Sequence, residues 1–384
     1  MSDFYPHVTR PLKGVRAFSE ISETSSQSQA AILLKLGRQL RGDDEALTGL
    51  ARAARGAALV AEAGAEDDPQ FPVPRLRPSR TPVSRREARA HATRRLGFAP
   101  TLPASAQVAV LAEGARQLYE KPTVESAAGL MEVCLSHDRE LVRIAAAAAY
   151  HPITADPARC VRILVSGLRS ADSLEREVAA TALARIQPDH PALRRLVRMR
   201  RAPARRGPSH TVTLVHGTFA TDAAWYQPGG DFFTYIKTLR SDLYDRPDFF
   251  RWSGRYSDGG RDLAAVDLER WVRTRHESGL DILGHSHGAN VILRATQLGM
   301  QAGKVVLLSC PVHVHKYMPD FARVKTPIIS VRVRLDLVIL ADRGGQRFNH
   351  PDIKEIVLPI WFDHGASHDP QVWQDHGVDT KIKL

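Results

Sequence analysis

Cysteine is scarce in this chain. Its 384 residues include three cysteines, Cys134, Cys160 and Cys310, which lie far apart and form none of the short paired spacings of metal-binding motifs. This argues against a disulfide framework and against a zinc ribbon, and it favours a reducing compartment. A chain of this length can bury the cores of two domains without covalent or metal support. We therefore expect a cytoplasmic protein that needs no cofactor.

Long apolar runs are absent as well. No segment reaches the roughly 18 consecutive apolar residues of a membrane-spanning helix. The N-terminus also lacks a basic start followed by an apolar stretch, which is the pattern of a secretory leader. The sequence therefore predicts neither a transmembrane helix nor a cleaved signal.

Basic residues outnumber acidic ones, and the formal net charge is +11. Such a charge can attract nucleic acid, anionic lipid or acidic proteins. The arginines are scattered, however, and the arginine-rich run at 194–207 contains no aromatic residues that could stack on bases. We expect a basic, solvated surface and no nucleic-acid partner, while peripheral contact with a membrane stays open as an alternative.

The first half of the chain has the spacing of helices. Residues 1–28 show no clear period and are expected to be loose, whereas residues 29–207 are expected to form an all-α region. Prolines and arginines crowd 66–82, which predicts an extended linker. Helices are predicted at 30–39, at 45–61, from the capping box of Ser84 and Glu87 to about Gly97, and at 104–119.

Two segments of this region resemble each other. Residues 141–149 align with residues 176–183 when Ile144 is matched with Val178, and each segment follows an acidic turn and an apolar helix. The pattern is similar to HEAT-type repeats, in which small alanines let paired helices approach closely and stack into a solenoid. It predicts either a surface for a protein partner or a scaffold that packs on the rest of the chain.

The pattern changes in residues 208–384, where apolar strands alternate with helices. This predicts a mostly parallel sheet covered on both faces. Strands are predicted at 211–215, 249–252, 280–283, 304–309, 327–335 and 355–360. Helices are predicted at 289–298 and at 261–275, the latter with Leu263, Val266, Leu268 and Val272 facing inward.

The most informative segment is 281–290. Here Ser286 lies between Gly284 and Gly288, directly after a short apolar run and before a helical pattern. A serine hydroxyl is a poor nucleophile, but a strained strand-to-helix turn can project it toward a base, where the helix N-terminus faces developing negative charge. The two glycines suit a turn that leaves no room for a Cβ atom. The segment predicts a nucleophilic serine.

Three motifs in order resemble the α/β-hydrolase superfamily, and the resemblance covers about 210–384. They are the strand and loop LVHGT at 214–218, the turn GHSHG at 284–288, and an acid followed by a histidine later in the chain. The HGT loop, the aromatic residues after it and the WSG segment at 252–254 are similar to esterase-like and lipase-like members. The resemblance implies an α/β-hydrolase fold, C-terminal to the helical domain, and a serine hydrolase that cleaves carboxylic esters.

The resemblance also implies a catalytic triad. Ser286 would attack the substrate carbonyl, and a histidine in the loop after the last strand would remove its proton. His368 is the first choice for this base and His364 is the second. The orienting acid should follow the preceding strand, which makes Asp336 the first candidate and Asp342 the second.

Two backbone N–H groups are expected to bind the oxyanion. One belongs to His287, which follows the nucleophile, and the other to Thr218 or Phe219. Several histidines near the serine also invite a metal interpretation, namely His285, His287, His313 and His315. No carboxylate or cysteine shares a zinc-like spacing with them, so we expect no metal site.

The substrate pocket is expected to be open, because the segment at 312–326 is too short for a large helical cap. Aromatic residues after Thr218 and near Met318 suit an apolar ligand, and we choose Trp225, Tyr226 and Tyr317 as pocket residues. The expected substrate is therefore an ester with an apolar moiety. The alternative is a non-catalytic interaction scaffold that uses the HEAT-like surface.

Overall fold

A computed structural model describes residues 26–41, 76, 81–96, 114, 118, 123–194, 196, 212–274 and 279–384. The chain divides into two units, Met1–Leu183 and Ala184–Leu384. Several sequence predictions fall wholly or largely outside the described residues. They are the loose segment at 1–28, the helices at 45–61 and 104–119, the linker at 66–82 and the domain boundary near 207.

The described part of the first unit is helical. Its helices are α1 (Ser26–Arg41), α2 (Arg85–Leu96), α3 (Val124–Cys134), α4 (Glu140–Tyr150), α5 (Pro157–Gly167) and α6 (Ser173–Ile186), and α6 ends just past the division. Helix α1 packs against α4, α2 against α3, and α4 against α5. A Cβ atom on Gly37 would lie 2.6 Å from the Cα atom of Ala149, so small residues let α1 and α4 meet at their backbones.

The predicted capping box at the start of α2 is confirmed. The hydroxyl of Ser84 accepts the N–H of Glu87 at 3.1 Å, and the carboxylate of Glu87 accepts the N–H of Ser84 at 3.0 Å. Each side chain therefore satisfies a backbone donor that the first turn of the helix leaves without a partner.

The two segments that resemble each other form equivalent structures. Arg143 donates from Nη1 to the carbonyls of the turn before α4, at 2.6 and 2.9 Å, and Arg176 donates in the same way to the turn before α6, at 2.7 Å to both carbonyls. Both arginines are the fourth residue of their helix. This match differs by one residue from the register in which Ile144 was aligned with Val178. Assignment to the HEAT class stays a prediction.

Some of the arginines of the first unit bind a buried carboxylate. The carboxylate of Glu132 is 2 % exposed and accepts from Arg89 and Arg159 at 2.9 Å and from Arg85 at 3.2 Å. A buried carboxylate needs such partners, because its desolvation is otherwise very costly. These arginines therefore pair with an acid inside the first unit.

The second unit contains a parallel sheet of five strands, which confirms an α/β fold. The strands are β1 (Val212–Val215), β2 (Leu280–His285), β3 (Ala302–Leu308), β4 (Ile328–Arg332) and β5 (Ile353–Val357), and they lie side by side in chain order. The first four strands are almost wholly buried, whereas β5 alternates between buried and exposed residues. This burial is typical of a parallel sheet with helices on both faces and an edge strand.

Seven α-helices of the described residues precede, connect or follow these strands. They are α7 (Pro191–Arg194), α8 (Asp231–Leu239), α9 (Asp258–Thr274), α10 (His287–Gln297), α11 (Leu337–Asp342), α12 (Pro370–His376) and α13 (Val378–Ile382). Helix α9 packs against α10. Within the described ranges, no helix combines the length and the apolar character that crossing a membrane requires.

Two details of the sequence prediction were wrong in this unit. Leu268 and Val272 of α9 are buried as predicted, but Leu263 is 69 % exposed and Val266 is 42 % exposed. The helix instead buries the positions that repeat at three and four residues from Arg261, which include Ala264, Ala265 and Trp271. The predicted strand at 249–252 does not form, although Trp252 is buried in the core.

The segments that follow β4 and β5 are joined at the carboxyl edge of the sheet. Parallel strands end at one common edge, where open α/β sheets place their ligands. The carbonyl of Leu335 accepts the N–H of Phe362 at 2.7 Å, and Asp336 pairs with Phe362 in a single parallel bridge. This contact holds the segment after β4 beside the segment after β5.

Candidate functional site

Ser286 occupies the turn between β2 and α10. Its backbone angles are φ 53° and ψ −133°, a conformation that costs a residue with a side chain about 1–3 kcal/mol. The N–H of Ser286 donates to the carbonyl of Leu308, at the end of β3, at 2.8 Å. Helix α10 begins at the next residue, so the serine is the N-cap. The strand-turn-helix geometry that the sequence predicts is therefore present.

The glycines on either side of the serine are required by close packing. A Cβ atom on Gly284 would lie 2.4 Å from Cδ1 of Ile292, and one on Gly288 would lie 2.3 Å from the carbonyl oxygen of His216. Neither glycine has a positive φ; the strained conformation belongs to the serine itself. The glycines let α10 approach the end of β1 closely enough to form the turn.

The replacement Gly288→Ala is expected to destabilise the protein by about 3 kcal/mol or more. The added methyl group would overlap two backbone carbonyls, at 2.3 and 2.7 Å, and overpacking against a rigid backbone is costly. Urea unfolding followed by tryptophan fluorescence measures the loss. Gly259→Ala is the control, because a Cβ atom there meets nothing within 4 Å. Equal stability of the two variants would contradict the packing argument.

Asp336 is buried at the start of α11, and both of its carboxylate oxygens are engaged. Oδ1 accepts the N–H groups of Val338 and Ile339 at 2.9 and 3.1 Å, which caps the helix. Oδ2 lies 2.7 Å from Nδ1 of His364. Because an ionised carboxylate can only accept, His364 carries its proton on Nδ1 and has its lone pair on Nε2.

His364 lies against the residue that precedes the serine. The ring centroids of His285 and His364 are 4.5 Å apart, and Nε2 of His285 donates to the carbonyl of His364 at 3.2 Å. Burial holds the pKa of His285 well below its ordinary value, so this ring is neutral. The acid and histidine pair therefore lies beside the turn of Ser286.

The pair is Asp336 with His364, and not Asp336 with His368 as the first choice from the sequence had it. The ring of His368 packs on Trp225 at 4.4 Å and on His285 at 4.3 Å between centroids. Its Nδ1 atom is buried and has no hydrogen-bond partner among the described residues. Burial lowers the pKa of His368 to about 3. The second choice, His364, is thus the histidine that a carboxylate orients.

Two of the three predicted oxyanion donors remain candidates. His287 is the first residue of α10, where a backbone N–H has no helical carbonyl to bind. The N–H of Phe219 donates to the carbonyl of Gly254 at 3.0 Å, so Thr218 is the remaining candidate from this loop. A Cβ atom on Gly217 would lie 2.8 Å from the Cβ atom of the serine. The loop after β1 therefore passes directly beside Ser286.

One of the three predicted pocket residues lies at this edge with a partly exposed ring. Trp225 is partly exposed, and its ring lies 5.6 Å from that of His285. Tyr226 is 1 % exposed and donates its hydroxyl to a backbone carbonyl. Tyr317 is 3 % exposed and its hydroxyl binds Asp258 at 2.8 Å. Both tyrosines lie in the core, and their role as pocket residues stays a prediction.

Asp342, the second candidate for the acid, lies at the end of α11 and binds other histidines. Its carboxylate contacts Nε2 of His287 at 3.0 Å and Nε2 of His313 at 2.8 Å, and it accepts from the hydroxyl of Tyr256. The atoms of these two histidines and of Asp342 that could bind a metal ion lie within 4.8 Å of one another. Spacing along the sequence did not predict this cluster, because its carboxylate comes from a distant segment.

No protein-family model matches the chain, and no curated protein matches its sequence. The geometry of the side chains at the carboxyl edge of the sheet is therefore what bears on function.

Proposed function

We propose that the protein is a serine hydrolase that cleaves carboxylic esters, with Ser286 as nucleophile, His364 as base and Asp336 as orienting acid. The observation that carries the proposal is the 2.7 Å contact between Oδ2 of Asp336 and Nδ1 of His364, beside the strained turn of the serine. The chain order of serine, acid and histidine is that of the α/β-hydrolase superfamily. The three residues follow β2, β4 and β5 at one edge of the sheet.

Acylation follows from these roles. The Oγ atom of Ser286 attacks the ester carbonyl carbon, and its proton moves to Nε2 of His364, whose Nδ1–H stays bonded to Asp336. The carbonyl oxygen becomes an oxyanion and accepts the N–H groups of His287 and Thr218. When the tetrahedral intermediate collapses, the bond to the alkoxy oxygen breaks, and His364 gives its proton to the leaving alcohol.

Deacylation repeats the sequence with water. His364 removes a proton from a water molecule, which attacks the acyl carbon bound to Ser286. The same two N–H groups donate hydrogen bonds to the second oxyanion. The bond to Oγ then breaks, and the serine regains its proton from His364. The products are a carboxylic acid and the free enzyme, and no redox partner is needed.

The aromatic surroundings favour an ester with an apolar moiety. Trp225 is partly exposed and packs on His285 and His368, and Phe219 is partly exposed in the loop that follows β1. Apolar rings beside a few polar groups are typical of small-molecule sites. We expect the acyl or alcohol group of the substrate to lie against Trp225.

Labelling with a fluorophosphonate tests the proposal. We expect one adduct per chain, mapped to Ser286 by peptide mass spectrometry, and hydrolysis of p-nitrophenyl esters that improves with acyl chain length. Ser309→Ala is the matched control, since Ser309 is also a buried serine with a positive φ, at 44°, and this variant should label normally. An unlabelled wild-type protein, or an adduct that maps elsewhere, would contradict the proposal and favour the scaffold alternative.

A further inference from the structure

Asp342 is a buried carboxylate on which donors from three separate segments converge. The carboxylate is 1 % exposed. His287 approaches Oδ1 from the start of α10, His313 approaches Oδ2 from the segment after β3, and Tyr256 donates from the segment before α9. Burial by itself would raise the pKa of Asp342, but the two histidines outweigh burial and hold the pKa well below its ordinary value. The group is therefore an anion.

The proton of His287 lies on Nε2. Nδ2 of Asn290 is 3.0 Å from Nδ1 of His287 and 3.0 Å from the carbonyl oxygen of Pro311. A carbonyl oxygen only accepts, so the amide nitrogen of Asn290 must face Pro311, and its other proton goes to Nδ1 of His287. Nδ1 is then an acceptor, and Nε2–H donates to Asp342. Burial lowers the pKa of His287 to about 4, which keeps the ring neutral.

His287 is thus held at both ring nitrogens. Asn290 holds one from the next turn of the same helix, and Asp342 holds the other from outside that helix. The backbone N–H of His287 is the first of α10, and it follows Ser286 directly. A side chain fixed in this way restrains the position of that N–H group. It is one of the two donors that the proposed mechanism directs at the oxyanion.

An aspartate lies at each end of helix α11. Asp336 precedes its first residue and orients His364, while Asp342 is its last residue and holds His287. The distance between the two aspartates along the chain is fixed by one short helix. The proposed base and the residue of the proposed oxyanion donor are therefore both held by aspartates of the same helix.

The side chains of His287, His313 and Asp342 carry atoms that can bind zinc. In this structure these atoms contact one another with the geometry of hydrogen bonds. The rings of His287 and His313 are nearly parallel, at 11° and 5.9 Å between centroids, and each contacts a different oxygen of Asp342. A histidine ligand must offer a lone pair to the metal, whereas Nε2 of His287 carries a proton. Metal binding would require Asn290 to give up its bond to Pro311.

From these contacts we infer that Asp342 is a positioning residue of the hydrolase, which holds His287 so that its backbone N–H is directed at the oxyanion. This inference rests on the proposed function and extends it to a residue that does not touch the substrate. Tyr256 and His313 form the other hydrogen bonds to the carboxylate. Asp342 therefore differs in role from Asp336, although both end the same helix.

The test compares Asp342→Ala with Asp342→Asn. Alanine removes every acceptor, whereas asparagine keeps one oxygen for Nε2–H of His287. Per active site titrated with fluorophosphonate, we expect kcat to fall about 30-fold in Asp342→Ala and less than about fivefold in Asp342→Asn, with KM nearly constant. Loss of one oxyanion donor costs about 10²–10³ in kcat, and the expected loss is smaller because Asp342→Ala loosens the N–H of His287 without removing it. The affinity for a trifluoromethyl ketone, which forms the oxyanion, should fall by the same factor as kcat.

Asp248→Asn is the matched control. Asp248 is buried and accepts from the hydroxyl of Tyr244 at 2.8 Å, so its replacement disturbs a similar bond away from the serine. We expect stability to fall while kcat per titrated site stays unchanged. An unchanged kcat per titrated site in Asp342→Ala as well would overturn the inference while leaving the proposed function intact. Absence of any label on Ser286 in the wild type would overturn both.

Two further measurements are independent of the folding of Asp342→Ala. Long-range ¹H–¹⁵N spectra of the wild-type protein should show the Nε2–H tautomer of His287 at neutral pH, and the Nδ1–H tautomer would overturn the inference. Metal analysis of the wild type should give no zinc. One zinc per chain, absent from Asp342→Asn, would replace the positioning role with a metal centre.

Discussion

Replacement of His364 by alanine is expected to lower kcat for a p-nitrophenyl ester by about 10⁴-fold or more, close to the loss from Ser286→Ala. The reason is that the nucleophile and its base act as one unit, so removal of either abolishes the proton transfer that both serve. The double variant should lose no more than either single variant. Steady-state kinetics with a fluorophosphonate titration of active sites measures the effect.

His368→Ala is the matched control for this experiment. His368 lies in the same loop but no carboxylate of the described residues binds its Nδ1, so the variant should keep more than about a tenth of the wild-type kcat. The reverse result, an inactive His368→Ala protein and an active His364→Ala protein, would show that His368 is the base, as the sequence first indicated. A general base must be deprotonated to act. Burial lowers the pKa of His368 to about 3, so if His368 were the base, kcat/KM would stay constant from neutral pH down to about pH 4.

The sequence predicts those parts of the fold that depend on local pattern. The five strands of the sheet and the turn around Ser286 appear where apolar runs and the glycine pair place them. These features depend on short continuous apolar runs and on close approach, which neighbouring residues encode. The capping box of Ser84 and Glu87 is predictable for the same reason, since both of its hydrogen bonds lie within one turn.

The features that the sequence does not predict depend on contacts between distant segments. His364 and His368 lie in one loop, and in the structure the distant residue Asp336 distinguishes them. One local signal did exist: Asp369 and Pro370 begin α12, and Asp369 caps that helix at 2.7 and 3.2 Å, which commits His368 to the turn before a helix. The cluster around Asp342 had no such signal, because its members come from four segments of the chain.

Asp336→Asn is expected to lower kcat by about 10³–10⁴-fold while the protein stays folded. The amide oxygen can still accept the N–H groups of Val338 and Ile339, as Oδ1 of the aspartate does at 2.9 and 3.1 Å. The amide nitrogen then faces Nδ1 of His364 and donates to it. The imidazole must therefore move its proton to Nε2, and in that tautomer Nε2 has no lone pair to accept the proton of Ser286.

Comparison with Asp336→Ala separates catalysis from stability at this position. Alanine removes the helix cap as well as the orienting carboxylate, so it should lose about 1 kcal/mol or more of unfolding free energy through the cap, which asparagine retains. Both variants should lose similar activity per titrated site, because neither holds His364 in the Nδ1–H tautomer. Urea denaturation and steady-state kinetics on the same preparations measure the two effects. Full activity of Asp336→Asn together with loss of the base function in Asp342→Asn would instead assign the orienting acid to Asp342, the second candidate from the sequence.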